Sequence, residues 1–253
     1  MTDQPPSPSD VPPAPPWAPA PPSAPETFAP PPPIATPSIP SEPLNPWVSL
    51  WTRPRATMRQ ILDTNPRRWV HVLAILGGIA EFIITPIPDT PPFPQLSPAA
   101  MLAFKCVSGA IGGLIGLYIA SFLGWMTGRW LGGQGNLVEV RSASAWPNIL
   151  TLWSTLLWLP LVVYLGMEAV NFNPEALSEE PTGMVLFATI RILLVVAAIW
   201  RLVVYLKCLA EAHRFSAWHA LGASLIGVVL IGVVVAILVG IVIGIVGLSA
   251  FSS

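Results

Sequence analysis

The chain has 253 residues, of which 53% are hydrophobic and 10% charged, and its net charge is −1. Ordinary soluble domains carry roughly 25% charged residues, so a chain this apolar, with its apolar residues gathered into long runs, reads as a bilayer protein. The near-neutral charge speaks against a nucleic-acid partner.

Residues 1–46 hold 19 of the 31 prolines. Proline removes backbone donors and fixes φ, so this stretch is predicted to be a disordered, polyproline-biased tail. It reads either as a spacer or as a docking segment whose PxxP spacings fit an SH3-like groove on a cytoplasmic partner. Arg53 is the first basic residue and no apolar run lies near Met1. No cleavable signal peptide is therefore expected, and insertion falls to the first spanning helix.

Residues 47–68 form a basic, tryptophan-bearing segment. A helix over Arg53–Leu62 puts Pro54, Met58, Ile61 and Leu62 on one face, and Asn65 before Pro66 stops it. Trp47, Trp51, Arg53, Arg55, Arg59, Arg67 and Arg68 are candidate membrane-surface contacts. They suit either an interfacial amphipathic helix or the ordinary positive flank of a spanning helix.

Five apolar runs follow within 69–250: Trp69–Thr85, Ala99–Leu123, Ile149–Met167, Met184–Leu206 and Ala220–Ala250. Crossing a bilayer takes about 20 helical residues, so the expected fold is all-α, a polytopic bundle of five transmembrane helices. Pro160 predicts a kink in the third. The connecting segments alternate in sign. Five arginines precede the first helix, Asp89 lies in the first hairpin, and Arg129 and Arg141 lie in the next loop. Glu168, Glu175, Glu179 and Glu180 follow, then Lys207 and Arg214. The positive-inside rule places the amino terminus in the cytoplasm and Ser253 outside.

Glu81, Lys105 and Arg191 fall inside predicted spans at similar depth, about 6–11 Å below the outer edge at 1.5 Å per residue. They are predicted to form a buried ionic cluster, either a functional site for an ion, proton or headgroup, or structural glue. Arg201 is expected to snorkel inward. Small residues recur every four positions at Ser108, Gly112, Gly116, Ala120, Gly124 and Gly128, and again at Gly232, Ala236, Gly240 and Gly244. Such stripes suit close helix packing or a homo-oligomer seam. Cys106 and Cys208 lack a pairing or metal-ligand spacing and read as free thiols. His71, His213 and His219 form no metal motif, and no nucleophile–base pattern or nucleotide fingerprint is present. Leu131–Gly135, LGGQG, reads as a flexible loop. No catalytic residue, cofactor or metal is expected.

Three blocks resemble bacterial Yip1-domain membrane proteins: WTRPRATMRQILDTNPRR (Trp51–Arg68) with Gly77-Gly78 after it, LGGQGNLVEVRSASAW (Leu131–Trp146) and EAHRFSAWHAL (Glu211–Leu221). The resemblance covers roughly residues 45–250 and implies a five-helix membrane domain with a cytoplasmic amino terminus, in a bacterial inner (plasma) membrane. Eukaryotic relatives act in vesicle trafficking with Rab GTPases, but the acidic motif of their cytosolic segment is not evident here. The expected function is a non-enzymatic scaffold or adaptor in membrane organisation or trafficking. Its partners would be the lipid bilayer, other membrane proteins or itself. The alternative is a small transporter or channel using the buried charges.

Overall fold

A computed structural model describes residues 43–85, 97–165 and 181–251. The proline-rich tail up to residue 42, the acidic segments 86–96 and 166–180, and Ser253 lie outside the described residues. Among the described residues all the regular structure is helical, with no strand.

Two short helices open it. Helix α1 (Pro46–Thr52) is capped by the Asn45 side chain, which accepts from Trp47 N–H. Helix α2 (Pro54–Thr64) begins on a proline, whose missing donor costs nothing in a first turn. Its buried face is Pro54, Thr57, Met58 and Ile61, close to the face expected from the sequence. That face does not meet lipid. It packs against the helices Pro181–His213 and Leu137–Ala145, and Met58 and Ile61 join the main core.

Helix α3 (Val70–Ile84) is shorter than a usual span. Its 15 residues rise only about 22 Å, against a hydrocarbon core of ~30 Å. Helix α4 (Pro98–Trp130) runs back beside it and overshoots the predicted end at Leu123. The overshoot follows from composition: residues 124–130 stay apolar until Arg129.

The segment expected to be a loop contains helix α5 (Leu137–Ala145). A capping box starts it, with Asn136 accepting from the backbone N–H of Glu139 while the Glu139 carboxylate accepts from Asn136 N–H. Helix α6 (Asn148–Thr155) continues it, then a 3-10 turn at Leu156–Trp158, then α7 (Leu159–Leu165). Pro160 cannot donate to a carbonyl four residues back, and the chain tightens there. The irregularity next to Pro160 is this 3-10 turn.

Helices α8 (Pro181–His213) and α9 (Ala217–Phe251) complete the chain. Four helical stretches are long and apolar enough to cross a membrane, at Ala99–Trp130, Leu137–Tyr164, Pro181–His213 and Ala217–Gly244, and α3 is a shorter apolar helix. The protein is a multi-pass integral membrane protein. Its outer surface is apolar, as a lipid-facing surface must be. Every residue from 231 to 244 of α9 is exposed.

One core joins α1 to α6, α8 and α9 around Leu50, Leu73, Val140, Ile149 and Leu209. A smaller cluster of Ile84, Trp158, Leu161, Ile190 and Leu194 lies at the other end of α3.

Candidate functional site

Glycine sets how closely α3 and α4 approach. A Cβ at Gly78 would strike the Gly109 carbonyl, and one at Gly113 would strike the Ala74 carbonyl. The seam is therefore Gly78, Gly109 and Gly113, and Gly77 sits as tightly against Asn148 of α6. This corrects the expected stripes. Gly112 only touches the Phe82 ring, while Gly116, Gly232, Gly240 and Gly244 have nothing within 4 Å. Gly124 makes ordinary contact with Val140 and Leu209. The seam is one position away from the most regular small-residue row.

The close approach carries the intramembrane charges into place. Glu81 does not bind Lys105 or Arg191; its ion-pair partner is Arg201, at 3.3 Å. Arg201 also donates from Nη1 to Thr151 Oγ1 at 2.8 Å, so it bridges α3, α6 and α8 rather than snorkelling. Lys105 and Arg191 serve the end of α3 instead. Lys105 Nζ donates to the Thr85 carbonyl at 3.0 Å and, more weakly, to that of Ile83 at 3.4 Å. Arg191 Nη1 donates to the Ile84 carbonyl at 3.3 Å. The reason is physical. A helix ends with carbonyls that lack partners and a partial negative charge, and away from water only side chains can satisfy them. Lys105 is 1% exposed, so its charge is held by the carbonyls of that helix end. Glu81, Thr151, Ser154, Arg191 and Arg201 line a cleft of 180 Å³.

The basic surface divides. Arg59 pairs with Glu211 of α8 at 2.5 Å. Trp51 packs on the core. Arg53, Arg55, Arg67 and Arg68 are exposed. Trp47 and Trp69 are exposed and meet edge to face at 6.4 Å. Arg68 sits 6.0 Å over the Trp69 ring.

His213 forms a junction that sequence reasoning missed. It is wholly buried, with Nε2 3.1 Å from the Gly124 carbonyl. A carbonyl only accepts, so Nε2 carries the proton. The LGGQG loop wraps the imidazole and is not slack. A Cβ at Gly128 or Gly133 would collide with the ring, and one at Gly135 would press on the Ala212 carbonyl. Gly132 takes φ +84°, a turn that glycine enters without strain. Gln134 N–H donates to the His213 carbonyl at 3.1 Å. The only sequence hint was glycine density opposite a lone histidine.

The three blocks quoted from the sequence thus meet at one place. Arg59 of the first reaches Glu211 of the third, and the glycine loop of the second encloses His213 of the third. Residues 48–240 match the Yip1 domain. No curated protein and no solved structure matches the chain. A match over this much of the sequence means that the chain belongs to the Yip1 domain family.

Proposed function

We propose that this protein is a non-enzymatic membrane scaffold or adaptor of the bacterial inner membrane, with α3 as the first of five spans. In this reading the amino terminus is cytoplasmic and Ser253 is outside. The observation that carries the adaptor reading is the three-block junction. It ties α1 and α2, which bear the proline-rich tail, to the α8–α9 corner, so a partner caught by the tail is coupled to the whole bundle. Five spans are supported by the alternation of loop charge. A short α3 is accommodated by local thinning of the bilayer.

Proximity crosslinking in cells tests it, comparing the full chain with one lacking residues 1–46. Membrane-protein neighbours common to both forms, plus cytoplasmic neighbours lost on deletion, are the expected result. Identical neighbour sets would remove the tail from the adaptor role. A transporter reading has less support, because the intramembrane charges are engaged with one another, Thr151 and helix-end carbonyls. In liposomes, solute flux through the wild type and Glu81→Gln is expected to stay at the level of empty vesicles.

A further inference from the structure

Arg67, His71 and Arg141 come from three places: the turn before α3, the first turn of α3, and α5. They line one recess of 240 Å³ together with Pro66, Val70 and Val138. No carboxylate is among these residues, so Arg67 and Arg141 leave the recess with two uncompensated positive charges. Neither guanidinium donates a hydrogen bond to a described residue. That of Arg141 rests on the Tyr118 ring at 4.7 Å, and its Nε is buried without an acceptor. Tyr118 is itself held by His71, whose Nε2 is 3.0 Å from the phenol oxygen.

The wall of the recess is the start of α3. Trp69, at φ +63°, provides no side-chain cap. The N–H groups of Val70 and His71 belong to the first turn, where a helix has no internal acceptors and a partial positive charge. Two forked guanidiniums, open backbone donors and no acid make a receptor for an oxyanion, and phosphate matches that geometry. The neighbours decide where the phosphate comes from. Trp69, which directly precedes Val70 of the recess, is exposed and meets the exposed Trp47 edge to face, and such aromatics settle at the headgroup level of a bilayer.

We propose that this recess binds the phosphate of an anionic phospholipid, with Arg67 and Arg141 as its side-chain ligands and the first turn of α3 as its backbone ligand. The site rests on the reading that the basic face meets the cytoplasmic leaflet.

The test uses the full chain, purified in detergent and stripped of lipid, with bound lipid counted by native mass spectrometry. The probes are phosphatidylglycerol and phosphatidylcholine of identical acyl chains. The wild type is expected to prefer phosphatidylglycerol by roughly tenfold, and Arg141→Gln and Arg67→Gln each to abolish most of that preference. Arg67 makes no side-chain hydrogen bond or ion pair among the described residues, so its variant folds even if Arg141→Gln does not. The double variant Arg53→Gln/Arg55→Gln, outside the recess, is expected to keep the preference. Loss in that variant with retention in Arg67→Gln would assign binding to the general basic surface and overturn the recess. Equal binding of the two lipids by the wild type would also overturn it. Displacement of phosphatidylglycerol by millimolar inorganic phosphate would assign the site to the soluble ion and overturn the lipid assignment.

Discussion

A single methyl group is enough to probe the α3–α4 seam. At Gly78 it would meet the backbone of Gly109, and at Gly113 the backbone of Ala74. Backbone cannot swing aside as a side chain can, so the helices must separate. Gly78→Ala and Gly113→Ala are expected to cost about 1–3 kcal/mol each. Gly116→Ala and Gly232→Ala meet nothing and should leave stability unchanged or raise it by up to about 1 kcal/mol. Tryptophan fluorescence during unfolding of the detergent-solubilised protein separates the two outcomes. Equal effects at Gly78 and Gly116 would return the seam to the regular stripe. A sequence shows that a helix has small residues at a four-residue spacing. It does not show which of two adjacent rows faces the neighbour, because rotation about the helix axis is set by packing.

At the scale of elements, the short α3 depends on cations borrowed from its neighbours. Lys105→Met leaves the Ile83 and Thr85 carbonyls without their donor, at an expected cost of about 1–3 kcal/mol. Arg191→Met removes the donor to Ile84. Because both serve one helix end, the double variant should depart from additivity, which the same unfolding assay measures. Helix α5 gives a simpler case: Asn136→Ala removes half of a capping box, with an expected loss of about 0.5–2 kcal/mol. That helix was legible, since Asn136 and Glu139 stand at cap spacing before Val140. The apolar face of α2 was legible as well, but not its occupant, because amphipathicity looks the same against lipid and protein. The partner of Glu81 was not legible. Glu81 and Arg201 are 120 positions apart, and their level depends on how far α3 and α8 slide past each other. Counting residues from helix ends put Glu81 level with Lys105 and Arg191, whereas those two reach the carbonyls of Ile83, Ile84 and Thr85, further along α3 than Glu81.

At the scale of the whole molecule, the proposed orientation makes a labelling prediction. Cys208 is buried and Cys106 half-buried, and both are removed first by substitution with Ala. In right-side-out vesicles a membrane-impermeant maleimide should then react with Ser253→Cys and not with Arg214→Cys. Inverted vesicles should reverse the pattern. Labelling of both positions from one side would mean that α9 does not cross, whereas the reverse pattern with a cytoplasmic amino terminus would mean an even number of crossings, leaving α3 as a re-entrant helix.

The far half of α9 has a further consequence. From residue 231 to 244 no side chain is covered by the rest of the chain, and the glycines there touch nothing. Exchanges among Val, Ile and Leu in that stretch are therefore invisible to the fold. Within this chain only length and greasiness are specified there, as a bilayer of given thickness requires. Drift within this stretch should follow the thickness of the host membrane, whereas the Gly78–Gly109–Gly113 seam and the His213 cage tolerate almost none.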